Sequence, residues 1–277
     1  MFLLPYIALP LYLLFGTRKL ARTGHSSTVD STVRRNDDAS TWPAEMAAAL
    51  GQPRPATYRA LCVHPDGAGS LRALLEVIDG AQHTLDLCTF ILGRDAVGAA
   101  VSAHLAARAR AGVRVRLLLD GVGRMLGGRV DLSVLMRAGV QVRLFVPPLH
   151  SPLKGRTNLR NHHKLVVADV GHADERLWCG GRNLAAEYFE GQPGHSAWRD
   201  LSFDLQGALA RQAADMFQRD WAFAAPSVTG TAAAVTLAEA DTNTAPVAAP
   251  GEPVGQVIAS GPDQADDTVY ALLVSAA

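Results

Sequence analysis

Apolar and polar positions along the chain switch between two periods. GSLRALLEVIDG, residues 69–80, spaces Leu71, Leu74, Leu75 and Ile78 three and four apart. That spacing predicts a helix, with Ser70 as its N-cap and Gly80 as its stop. Residues 84–92 predict a strand. Residues 96–111 predict a helix closed by Gly112, and 113–119 a strand ending in Asp120-Gly121. A helix over 132–138 closed by Gly139 and a strand over 140–146 stopping at Pro147-Pro148 continue the alternation. Strands are expected again at 164–170, 176–179 and 201–205, and a helix at 207–223. Strands alternating with helices predict an α/β domain on a largely parallel or mixed sheet.

The flanks read differently. Met1–Gly16, MFLLPYIALPLYLLFG, carries no charge. It is shorter than the roughly 20 residues of a full helical span, and Pro5 and Pro10 interrupt it. Arg18, Lys19 and Arg22 follow it, the reverse of the order in a cleaved secretory signal. Residues 1–22 are therefore expected to anchor the chain in the cell membrane, with the basic flank and the main domain on the cytoplasmic side. Residues 23–56 are a polar tether with a short helix near 43–50, and 57–224 form the main domain. Residues 225–253, rich in Ala, Thr and Pro, are a linker. In residues 254–277 a strand is expected over 254–259 and a helix over 266–277. This tail echoes the start of the domain: Pro65-Asp66 recurs as Pro262-Asp263 and a Leu-Leu pair follows in both, with Pro65 and Pro262, and again Leu75 and Leu272, offset by 197 residues.

Composition narrows the function. With 48% hydrophobic and 19% charged residues the chain can bury a core. Lys+Arg and Asp+Glu number 26 each, so no global cationic field draws in duplex nucleic acid, which is not expected as a partner. Cys62, Cys88 and Cys179 are too far apart for a CxxC metal site or a disulfide framework.

The chemistry concentrates between Arg160 and Asp200. In RNHHKLVVAD, His162 and Lys164 are two apart and project together from an extended segment. Asp169 has the wrong parity for the same strand, so it reaches the site from a strand end or serves another role. Lysine occurs only three times in the chain, and one of the three falls on this position. Gly180 and Gly181 let backbone approach an anion, and Asn183 adds an amide donor. An imidazole nucleophile with an ammonium and an amide to hold oxygens suits a phosphodiester.

This segment resembles the HKD signature of the phospholipase D superfamily. The wider pattern is similar to bacterial cardiolipin synthases: LPYIALPLYLLFGTRK, AGVRVRLLLDGVG, RAGVQVRLF, NLRNHHKLVVAD, CGGRNLAAEYF, WRD and FQRDWAF. The resemblance runs from residue 1 to about 225, and the segment from Val254 is similar to the opening of the family's second repeat. It implies an α/β fold with a phospholipase D-type mixed sheet flanked by helices, one complete repeat plus the start of a second. It also implies two HKD histidines at one site, one attacking phosphorus and the other serving the alcohols, with no metal and no cofactor. Carried over, His162 is the nucleophile, Lys164 and Asn183 hold the phosphate, Gly180 and Gly181 line it, and Asp169 completes the motif. A carboxylate that orients the His162 ring is expected in Asp200, with Glu187 second.

One HKD motif is present, so the second comes from another repeat of a longer protein or from a homodimer partner. The implied reaction is phosphatidyl transfer between two phosphatidylglycerol molecules. The alternatives are phospholipid hydrolysis, a dimeric single-motif nuclease, and an inactive fragment. The remaining candidates read as structural: His163 points away from His162, His64, His83, His150, His172 and His195 belong to loops or turns, and Trp198 packs. Arg114 and Arg116 mark a polar strand face, and Asp120 a turn.

Overall fold

The computed structural model describes residues 42–50, 52–146, 160–224, 251–259 and 269. The membrane segment expected at 1–22, most of the tether and of the linker, His150, and the C-terminal helix expected at 266–277 (but for Val269) lie outside them. No helix among the described residues is long and apolar enough to cross a membrane.

The chain divides into two units. The smaller contains helix α1 (Trp42–Ala49) and a two-stranded antiparallel sheet, in which β1 (Ala56–Thr57) pairs with β9 (Val254–Gly255). The strand expected over 254–259 is thus two residues long. Next to it Gln256 Nε2 donates to the Pro53 carbonyl.

The larger unit is a seven-stranded mixed sheet. In chain order its elements are β2 (Arg59–His64), α2 (Gly67–Gly80), β3 (Thr84–Thr89), α3 (Ala96–Arg110), β4 (Arg114–Asp120), α4 (Gly121–Leu126), α5 (Leu132–Arg137), β5 (Gln141–Phe145), β6 (Leu165–Ala168), β7 (Arg176–Gly180), α6 (Ala186–Phe189), β8 (Ser202–Gln206) and α7 (Leu209–Phe223). The strand order is β2-β8-β7-β6-β3-β4-β5. β3, β4 and β5 are parallel, joined by helical crossovers, and the remaining pairings are antiparallel.

The two faces follow strand parity. Leu85, Leu87, Val115, Leu117, Val166, Ala168 and Trp178 form one core with Leu74, Val77 and Ile78 of α2 and Val101 and Leu105 of α3. The opposite face meets α7. There Arg116, expected on a polar face, is 7% exposed. Its guanidinium donates to both oxygens of Asp86, at 2.7 and 2.5 Å, and lies over the rings of Phe217 and Trp221. A strand with one polar face and a strand whose charges are paired under a helix look alike in sequence.

Local caps also differ from expectation. The first helix starts at Gly67, because the Asp66 carboxylate accepts the Gly69 N–H at 2.7 Å; Ser70 is buried within the helix. Gly112 does close α3, at φ +93°, where a Cβ is unfavourable. Asp120 is an N-cap rather than a turn: it takes the N–H groups of Val122 and Gly123 and starts α4, which the glycines at 121 and 123 hide from helix propensity.

Candidate active site

Open α/β sheets bind ligands beyond the carboxyl ends of their parallel strands. β6 runs against β3 with Leu165 opposite Cys88, so the residues just before β6 arrive at that edge. β7 places Cys179 opposite Leu165, which brings Gly180 and Gly181 to the same edge. The edge therefore gathers His162, Lys164, the glycine pair and Asp120.

The His162 ring packs against Phe90, with centroids 5.0 Å apart and planes at 55°. Lys164 is 4% exposed; its Nζ donates to the His162 carbonyl at 2.8 Å and lies 5.8 Å from the Phe90 centroid. The Gly180 N–H donates to the Lys164 carbonyl at 3.3 Å. Asn183 is buried, and its Oδ1 accepts the Ile91 N–H at 3.3 Å, so the NH2 group is the end left for another acceptor.

Burial sets the electrostatics. It lowers the Lys164 ammonium to about 8, against the opposing influence of Cys88, Asp200 and Cys179. Burial, seconded by the Lys164 charge, holds the His162 imidazole below its ordinary value, while Asp120 pulls the other way. At pH 7 the pair is a neutral imidazole beside an ammonium. Burial raises the Asp120 carboxyl, opposed by the N–H groups of Gly123, Asn161 and Val122. It also pushes the Cys179 thiol up to about 11 and Cys88 well above its usual range, so neither is a thiolate nucleophile at neutral pH.

Asp200 lies over Gly181. A Cβ at that glycine would stand 2.3 Å from Asp200 Oδ1, so the carboxylate would have to move to admit one. Asp200 Oδ1 accepts the Leu201 N–H at 2.6 Å, and its charge bears on Lys164. Glu187 Oε2 accepts from Gln192 Nε2 at 3.2 Å, and its carbonyl takes the Trp198 N–H. Among the described residues neither Asp200 nor Glu187 makes a hydrogen bond to the His162 ring; Asp200 stands at the Gly181 and Lys164 side of the site. The carboxylate whose charge reaches His162 is Asp120.

Asp169 stands at the other end of β6. Its carboxylate accepts the N–H groups of Gln82, His83 and Thr84 at 2.7, 2.6 and 2.8 Å. Seven strand-like residues from His162, roughly 20 Å, it holds the α2–β3 turn and does not join the site. Nearby the His83 and His172 rings stack at 4.0 Å.

Arg182 escaped the sequence reading as a functional position. At 1% exposure it donates to Ser202 Oγ and to the carbonyls of His64, Pro65 and Tyr188, tying the GGRN loop to the start of α2. Asn161 and Asp220 were missed as well. Asp120 was read as a turn first and a site residue second; its place at the carboxyl end of a parallel strand was the usable signal.

Cys62, His64 and Asp204 hold metal-type donor atoms within 4.8 Å of one another. His64 Nε2 already bonds Asp204 Oδ1 at 2.6 Å, and Arg176 pairs with the other oxygen at 3.4 Å. A guanidinium on the carboxylate opposes a second cation, and the cluster is an ion-pair network.

Residues 74–221, more than half of the chain, match the phospholipase D-like family described as "Cardiolipin synthase, PLD-like domain". The chain belongs to this family. A cardiolipin synthase of Geobacillus kaustophilus (strain HTA426) is 28% identical over 236 residues, which cover 83% of this chain and 45% of the relative. The probable cardiolipin synthase YwiE of Bacillus subtilis (strain 168) is 26% identical over 214 residues, 76% of this chain and 40% of the relative. The chain thus spans less than half the length of these two relatives. Among solved structures, the phospholipase D family member Nuc from Salmonella typhimurium superposes on 62% of this chain and 97% of its own, at 17% identity and a TM-score of 0.43.

Proposed function

We propose that this domain carries out phosphatidyl transfer of the cardiolipin synthase type, in which two phosphatidylglycerol molecules give cardiolipin and glycerol. The observation that carries the reading is the convergence of the His162 ring and the buried Lys164 ammonium on Phe90 at one sheet edge, where Lys164 Nζ also reaches the His162 carbonyl at 2.8 Å. A ring nitrogen of His162 attacks phosphorus, and the P–O bond to glycerol breaks. Lys164 and the Asn183 amide donate to the non-bridging oxygens, while Gly180 and Gly181 leave room for them. The departing oxygen takes a proton from the histidine of a second HKD motif, in the remainder of a longer protein or in a second copy. That group then removes the proton of the incoming phosphatidylglycerol hydroxyl, whose oxygen displaces His162 from phosphorus. The scheme uses no metal and no cofactor. A membrane anchor at residues 1–22 would keep the domain at the cytoplasmic surface where its lipid substrates lie.

A p-nitrophenyl lipid phosphodiester with labelled phosphorus tests the first half. Its leaving group hardly needs a general acid, so a single motif suffices. Acid-labile label on the wild-type protein and none on His162→Ala is the expected result. Equal labelling of the variant, or none on folded wild type, refutes the assignment. Products from phosphatidylglycerol then separate transfer, which yields cardiolipin, from hydrolysis, which yields phosphatidic acid.

A further inference from the structure

The backbone of Asn161, His162 and His163 precedes β6 and lies outside its ladder. Strand pairing therefore does not place His162, and side chains from elsewhere do. The Asn161 N–H donates to Asp120 Oδ2 at 3.0 Å. Asn161 Nδ2 donates to Asp220 Oδ2 at 2.6 Å, and its Oδ1 accepts the His163 N–H at 2.9 Å and the Cys88 thiol at 3.3 Å. His163 Nδ1 donates to the same Asp220 oxygen at 2.9 Å. The residues on both sides of His162 thus converge on one oxygen of a carboxylate carried by α7. Alternation along an extended segment turns their side chains to one side and the His162 ring to the other, against Phe90. Asn161 is buried at 3% exposure, and the side chains of Asp220 and His163 are partly buried, at 14% and 30%.

We propose that Asp220, acting through Asn161 and His163, is the positioning residue that sets the angle at which His162 meets phosphorus. The proposal rests on His162 being the reacting group. Asp120 pins the same segment at its backbone but also bears electrostatically on the ring, whereas Asp220 works through geometry. A displacement of about 1 Å at a reacting group costs on the order of 100-fold in rate. That sets the expected size of the effect.

The test compares wild type with Asp220→Ala and Asp220→Asn. Three quantities are read: the rate of His162 labelling at saturating p-nitrophenyl phosphodiester, the half-saturating concentration, and backbone hydrogen exchange over residues 160–164. In Asp220→Ala the labelling rate falls about 100-fold, half-saturation stays within about twofold, and exchange over 160–164 rises at least about tenfold, with β6 and β7 unchanged. Asp220→Asn, an isostere with a weaker acceptor, loses about tenfold in rate. If Asp220→Ala does not fold, Asp220→Asn carries the test. Wild-type rate and exchange in the folded variant overturn the proposal, as does exchange that rises uniformly across the sheet. If wild type itself takes no label, the catalytic reading has failed; exchange confined to 160–164 then still supports the positioning of this segment by Asp220, and unaltered exchange overturns it.

Discussion

Replacing Asp169 separates two roles for the last residue of the HKD motif. In the structure its carboxylate receives three backbone N–H groups, from Gln82, His83 and Thr84, and its own backbone sits at φ +52°. Hydrogen bonds to a charged acceptor are worth about 1.5–3 kcal/mol each. The loop they tie down is partly open to solvent, so water recovers some of that when they are lost. Alanine also tolerates a left-handed backbone less well than Asp or Asn. Together these terms put Asp169→Ala at a loss of about 3–5 kcal/mol of stability. Asp169→Asn keeps the backbone and the two bonds to Oδ1, but turns an NH2 group toward the Gln82 N–H, for a loss of about 1–3 kcal/mol. Urea unfolding measures both losses. His162 labelling per folded molecule should stay within about threefold of wild type, because Asp169 lies at the far end of β6, roughly 20 Å away. The reasoning is wrong if Asp169→Asn is as stable as wild type. It is equally wrong if a folded variant labels 100-fold more slowly.

Lys164 makes a pH prediction. Its folded value, about 8, lies below its ordinary 10.5, so between those two the unfolded chain binds more protons and stability rises with pH. Relative to Lys164→Met the gain should appear only in that window, while the half-saturating concentration of phosphodiester climbs above pH 8 as the ammonium is lost. Gly181→Ala forces the Asp200 carboxylate aside; labelling should slow about tenfold, and a double-mutant cycle should show a smaller effect in an Asp200→Ala background. Arg116→Met leaves the buried Asp86 with only the longer contact to Arg114 at 3.4 Å and should cost up to about 3–5 kcal/mol in urea unfolding, much of it recovered by adding Asp86→Leu. An unaltered midpoint for Arg116→Met would mean that the pair is not buried in solution.

Much of the larger unit was legible because it depends on neighbours a few residues apart. The helical spacing of Leu71, Leu74, Leu75 and Ile78 and the left-handed stop at Gly112 are short-range. So is the alternation that lets His162 and Lys164 project together. Where two local solutions competed, the sequence alone did not choose: Asp66 rather than Ser70 caps α2, and Asp120 starts a helix that its glycines conceal. Roles decided through space were out of reach. Asn161 meets Asp120 across 41 positions and His163 meets Asp220 across 57. Arg116 looked solvated until α7 covered it. Asp169, joined to His162 by the motif, is parted from it by the length of a strand. The strand order brings the end of β4, the start of β6 and the end of β7 to one edge, and it sends Asp169 to the other. A motif records which residues are near in the chain, and the packing of the sheet decides which of them can touch one phosphate.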